Sequence, residues 1–282
     1  MNTMPVVYGE KMVAPSKSYS PSSSKPQLLV NYLQSLDYPV SIQAPVELTI
    51  NDLCLAHSRD YVEAVLDCRA PNGFGNRDVE TAATLPYTSG SLYQAACLAL
   101  ERGLAASFSS GFHHAGYQYG GGFCTFNGLL VVARRLFQER RVGRVLILDA
   151  DYHYGDGTDD IVHKLSLEFV RHETLGRDFH RPEQAEEYLL ALEQIIHSLR
   201  KDRVDLILYQ AGADVHVDDP LGGLLTTAQM ARRDRMVFEA ARWLRIPLAW
   251  NLAGGYQRDA GGSILPVLRL HEQTYQIALS TL

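Results

Sequence analysis

Cysteine is scarce in this chain. Cys54, Cys68, Cys97 and Cys124 are its four cysteines, and no two stand in CxxC spacing. That excludes a disulfide scaffold and a cysteine metal site, and it fits reduced thiols in a cytosolic protein. Positive charge is also short: 26 Lys and Arg face 32 Asp and Glu, for a net charge of −6. No basic field is available to hold nucleic acid or an anionic membrane surface. No apolar run is long enough to span a bilayer, and the start at Met1 lacks the pattern of a signal peptide. A cytoplasmic location is the expectation. No internal repeat is present.

What the chain does have is material for a core. Hydrophobic residues make up 46% of 282 positions, ample for a globular α/β protein. From residue 104 onward, short apolar runs alternate with helical spacing. Strands are expected at 104–108, 144–150, 167–170, 204–210 and 247–252, after a first strand at 5–8. Helices are expected at 27–36, 50–55, 59–68, 127–139, 159–165, 184–200, 227–244 and 262–278. A further long helix is expected to start at Ser89 as N-cap and end near Gly103. Residues 15–25, rich in Ser and Pro, read as a surface loop, and Phe74 in the turn-rich 71–77 segment as a residue at a pocket mouth or in a plain connecting loop. The alternation predicts an α/β/α three-layer fold with a mostly parallel central sheet, as a single domain over 1–282.

One stretch stands out, residues 144–158. A branched apolar run from Val145 to Leu148 reads as a buried strand. It delivers Asp149, Asp151 and His153 at alternate positions, so an extended chain points all three the same way. Gly155 and Gly157 permit a tight turn into a helix. One Asp could serve as a helix cap. Two Asp and a His on one side exceed that need, because neighbouring carboxylates repel unless a cation lies between them, and carboxylate with imidazole suits a divalent transition metal.

In a parallel sheet all strand carboxyl ends share one edge, where open α/β sheets build their sites. The unusual residues fall there. His113 and His114 follow the 104–108 strand. Asp151 and His153 follow 144–150. Asp214, Asp218 and Asp219 follow 204–210, and Gly254, Gly255 and Tyr256 follow 247–252. Asp151, His153 and Asp219 supply three metal ligands and leave positions open for water and substrate, as a catalytic site requires. His113 or His114 can act as base, and the Tyr256 hydroxyl can face a developing oxyanion. Together these describe amide hydrolysis. The remaining histidines, 57, 163, 172, 180, 197, 216 and 271, read as surface or capping residues.

These residues resemble the zinc-dependent histone deacetylase family, which shares its fold with arginase. The resemblance runs from about Ser89 to Tyr256. Its motifs are Gly111-Phe112-His113-His114, the Gly120–Asn127 segment, Asp149–Thr158, Asp219–Leu224 and Gly254-Gly255-Tyr256. The Leu221-Gly222-Gly223-Leu224 segment is similar to the class IV enzymes and their bacterial relatives. The resemblance implies one zinc ion on Asp151, His153 and Asp219, with His114 as general base and His113 as electrostatic support. It implies that Asp149 binds the His113 imidazole, that Asp156 binds that of His114, and that Tyr256 binds the substrate carbonyl. Phe123 would wall a narrow channel in which Gly122 lets the acyl chain pass, with Gly254 and Gly255 beside the substrate. A potassium ion near Asp149, Asp151 and His153 is implied too. The chain departs from the family at Tyr154, where many relatives carry a second His, in the short 161–184 segment, and in lacking a His-Pro-Glu stretch near the start.

The expected activity is removal of an acetyl or longer acyl group from an amine, either an acyl-lysine or an acetylated polyamine. Two alternatives differ in kind. An arginase-like ureohydrolase would need a second metal. A non-catalytic binder would hold an acylated ligand or a partner without turning it over.

Overall fold

The structure is a computed structural model describing residues 3–15 and 17–282. Seven strands form one sheet: β1 (Pro5–Val7), β2 (Ser41–Gln43), β3 (Leu104–Ser107), β4 (Val145–Asp149), β5 (Val170–Thr174), β6 (Leu206–Gln210) and β7 (Leu248–Asn251). Their order is β2-β1-β3-β7-β6-β4-β5, and every pairing is parallel. The β4 run shows why both faces are covered. Leu146 and Leu148 enter one core with Trp250, Phe238 and Tyr188. Val145 and Ile147 enter the other with Leu92, Leu129 and Val132. A parallel strand buried on both faces needs such a continuous apolar run.

Helices α1 (Lys25–Ser35), α7 (Ala185–Ser198), α8 (Thr227–Leu244) and α9 (Leu265–Ser280) supply the first core. Helices α2 (Ile50–Leu53), α3 (Arg59–Leu66), α4 (Val79–Arg102), α5 (Gly128–Gln138) and α6 (Asp156–Leu165) cover the opposite face. The three-layer expectation holds. The start of α4 does not: Asp78 is the N-cap, accepting from Thr81 N at 2.9 Å, and Ser89 lies buried mid-helix. Pro86 sits inside that helix. A proline removes one helical N–H and makes the run before it look non-helical in sequence. β2 was not expected either. It is a three-residue edge strand without a buried side chain, so it carries no apolar signature. The fifth strand lies at 170–174, C-terminal to the expected 167–170.

Two corrections concern burial. The 15–25 stretch, apart from Ser16 outside the described residues, is no plain surface loop, since Ser20, Ser22 and Lys25 are buried. Four of the histidines read as surface residues are buried too: His57, His216 and His271, and His172 with its side chain 2% exposed.

A buried ion pair on α8 fixes the loops at the carboxyl edge. Arg233 donates through Nη1 to the carbonyls of Gly212 at 2.7 Å and Ala150 at 3.2 Å, and through Nε to Asp234 Oδ1 at 2.8 Å. Asp234 also accepts from Tyr209 and Thr274. Both charges are fully buried. Replacing Arg233 by Met strands the Asp234 carboxylate in the core. The expected cost is about 3–5 kcal/mol, read as a lower urea midpoint in equilibrium unfolding.

Candidate active site

β4 ends at Asp149, and the next residues are not extended. Asp149 Oδ1 accepts from Asp151 N at 3.2 Å, and Asp151 Oδ1 from His153 N at 3.0 Å. Each carboxylate thus caps the backbone two residues on. The chain curls, and that curl presents the three side chains. Gln210 at the end of β6 bridges two loops: its Nε2 donates to Asp149 Oδ1 at 3.0 Å, and its Oε1 accepts from Phe112 N at 3.2 Å.

The two expected histidine dyads are both present as contacts. His113 Nδ1 donates to Asp149 Oδ2 at 2.7 Å. His114 Nδ1 donates to Asp156 Oδ1 at 2.6 Å. Their ring centroids lie 4.1 Å apart. The α6 N-terminus holds the pair in register, because Thr158 N donates to His113 O at 2.9 Å. The α5 cap residue Asn127 adds bonds from Nδ2 to Ala115 O and Thr158 Oγ1.

Among the described residues, the group with metal-ligand proximity is Asp151, His153 and Asp214, whose ligand atoms all lie within 4.8 Å of one another. Asp219, the third ligand that the resemblance implies, lies outside that 4.8 Å group. Its carboxylate accepts from Tyr256 N at 2.7 Å and Leu221 N at 3.0 Å, bonds that leave it lone pairs for a cation. Asp214 Oδ2 stands 3.0 Å from His153 Nδ1. Asp151 and Asp214 are almost fully buried, and burial together with Asp151 pushes the Asp214 carboxyl up to about 7. Two buried carboxylates around one imidazole nitrogen form a donor set that a divalent cation fits and that is electrostatically costly without one. The Asp149 carboxylate lies outside this group. It already accepts from His113, Gln210 and Asp151 N.

Gly254 shows how tightly the cluster is enclosed. A Cβ at this position would stand 2.0 Å from Asp214 Oδ2 and 2.9 Å from Asp151 Oδ2, and its own N–H donates to Asp151 Oδ2 at 2.8 Å. Beneath it, buried Lys25 donates to Ala253 O at 2.6 Å and Gly254 O at 3.2 Å. Burial lowers the Lys25 ammonium to about 8, against the pull of Asp214, Asp151 and Asp219. Sequence reasoning missed Lys25, since nothing near it resembles a site.

Above the histidines stands an aromatic wall. The Phe123 ring lies 5.6 Å from Tyr256 and 6.0 Å from Phe74. Phe74 therefore does belong at this wall. Gly122 takes φ +51°, and a Cβ there would meet His114 Cδ2 at 2.3 Å. The missing side chain makes room for the imidazole. At Gly255, with φ +138°, a Cβ would meet Val267 Cγ1 at 2.8 Å and Ala213 Cβ at 3.1 Å.

The electrostatics separate the two imidazoles. Burial opposes protonation of His113, but Asp149 and Asp151 outweigh it and raise it to about 9. Burial and the His113 charge lower His114. One ring is thus a cation and its neighbour a free base near neutral pH, the separation that acid–base work requires. Burial, then Asp214 and Asp151, push the Tyr256 phenol well up, so it stays a proton donor.

The architecture is that of the arginase/deacetylase-like α/β class. The structure superposes on the crystal structure of the HDA15 HD domain with a TM-score of 0.79 at 18% identity, covering 99% of this chain and 90% of that one. It superposes on acetylpolyamine aminohydrolase from Burkholderia pseudomallei with a TM-score of 0.73 at 18% identity, covering 98% of both. In sequence, residues 21–185 and 170–268 match the histone deacetylase domain, and the chain belongs to that family. It is 30% identical to histone deacetylase 2 of Arabidopsis thaliana over 249 residues, 78% of this chain and 64% of that protein.

Proposed function

We propose that the chain hydrolyses acylated amines with one zinc ion held by Asp151, His153 and Asp219, with Asp214 braced against His153. The observation that carries this reading is the pair of imidazole–carboxylate dyads standing beside that cluster. A divalent ion there supplies a Lewis acid for the substrate carbonyl and an acidified water. The chain's own groups do the rest. Neutral His114, oriented by Asp156, takes the proton from the attacking water. Cationic His113, oriented by Asp149, faces the charge that develops on the tetrahedral centre. The Tyr256 hydroxyl donates to the carbonyl oxygen as it becomes an oxyanion. Phe123 and Phe74 flank the acyl stem and exclude water.

The substrate class follows from the family and from charge. An acyl-lysine or an acetylated polyamine brings a slender alkyl stem, and a polyamine brings free ammonium groups toward a chain with net charge −6. An arginase-like ureohydrolase would need a second ligand group, and the described residues hold one. The test is turnover by the zinc-loaded protein across acyl-lysine peptides and acetylated polyamines. Binding without product across that panel would leave a non-catalytic binder. Tyr256→Phe is expected to lower kcat by about 10²–10³-fold with KM little changed, because the hydroxyl acts in the transition state. A full-rate Phe variant would remove Tyr256 from the mechanism.

A further inference from the structure

The side chain of His172 lies buried between two carboxylates. It sits on β5 opposite Ile147, two positions before the Thr174–Asp149 pair, so Asp149 and His172 share a sheet face as diagonal neighbours. Its Nδ1 donates to Asp159 Oδ1 of α6 at 2.7 Å. Its Nε2 lies 3.9 Å from Asp149 Oδ2 and has no hydrogen-bond partner despite complete burial. Two imidazoles therefore converge on one carboxylate oxygen, His113 at 2.7 Å and His172 at 3.9 Å. Gly155 closes the gap, since a Cβ there would meet Asp149 Oδ2 at 2.7 Å and His172 Nε2 at 3.0 Å.

We infer that His172 is a positioning residue for hydrolysis, bracing the Asp149 carboxylate so that it holds the His113 imidazole in its working orientation. This rests on the functional reading above for the roles of Asp149 and His113. An unpartnered buried donor is costly, and Asp149 is the anion Nε2 faces. Burial works against a charge on His172, but Asp149 and Asp159 together favour it. The groups facing it are Asp149 from β4 and Asp159 from α6, the latter itself held by the Tyr154 hydroxyl and by Arg177. The reach to α6 matters as well. Asp159 lies one turn beyond Asp156, the partner of His114, so the ring bonds the helix that carries that partner.

The two nitrogens can be tested apart. Gln places an amide donor near the Nε2 position, toward Asp149. Asn places one near Nδ1, toward Asp159. Phe keeps the ring and removes both. In the zinc-loaded full chain, His172→Phe is expected to lower kcat about 10-fold with KM unchanged. His172→Gln should recover most of that loss and His172→Asn should not. Recovery by Asn alone, or a loss carried by KM, would make His172 a brace for α6 only and overturn the inference. A readout free of turnover separates this from the functional reading. The Nδ1 proton of His113, bonded to Asp149, gives a downfield NMR signal in histidine-labelled protein. It should persist in His172→Gln and move or vanish in His172→Phe. An unchanged signal in both variants overturns the proposal even in a protein that turns over no acyl amine.

Discussion

His114→Ala is expected to lower kcat by about 10²–10⁴-fold while zinc content and thermal unfolding stay at wild-type values. The ring lies outside the Asp151, His153, Asp214 cluster, so its loss should leave the ligand set intact. It removes the one imidazole at the site that is neutral near pH 7, because burial and the charge on His113 both lower its proton affinity. The pH profile gives the sign. A base with a lowered pKa remains competent as pH falls through the ordinary histidine range and fails only below it. Wild-type kcat/KM should therefore hold down to below about pH 6.5 and then drop, and the alanine variant should lose that acidic limb. The basic limb belongs to His113, whose charge Asp149 holds above the ordinary histidine range, and should survive in the His114 variant. Wild-type rates in His114→Ala, or an unaltered acidic limb, would assign the base elsewhere.

Asp219→Asn should abolish stoichiometric zinc binding, while Asp214→Asn should keep the metal at reduced affinity. Metal analysis after dialysis against a weak chelator reads the first effect directly. The two aspartates lie five residues apart in one loop, and they do different work. Asp214 presents Oδ2 to His153. Asp219 receives the Tyr256 backbone N–H, so its loss frees the loop that carries the phenol. Metal lost in the Asp214 variant and retained in the Asp219 variant would move the third ligand to Asp214.

That pair also shows where the sequence was legible and where it was not. The strand of apolar residues before Asp149 and the glycines beside each polar cluster were readable, because periodicity and glycine report backbone requirements directly. Hence the sheet and the edge carrying the site could be anticipated, while both dyads came only from the family resemblance. That Asp214 packs beside His153 needed the path of the loop through space. The turn at residues 214–219 brings Asp219 under the Tyr256 backbone, and no spacing rule encodes that. His172 and Lys25 were missed for a related reason. Each is a polar residue whose partners are carboxylates or carbonyls more than ten residues away, so nothing local marks it as buried. Pro86 misled in the opposite direction, by resembling a boundary within α4.

The two dyads face different surroundings. The Asp149 side chain is 0% exposed, whereas that of Asp156 is 50% exposed. Mobile ions can gather around one carboxylate and never reach the other. Ionic strength should then act as a selective dial: added salt weakens the grip on His114 and leaves that on His113 untouched. With His114 as the proposed base, the proton it collects has a wet exit past Asp156, so the site can reset between turnovers without opening its core.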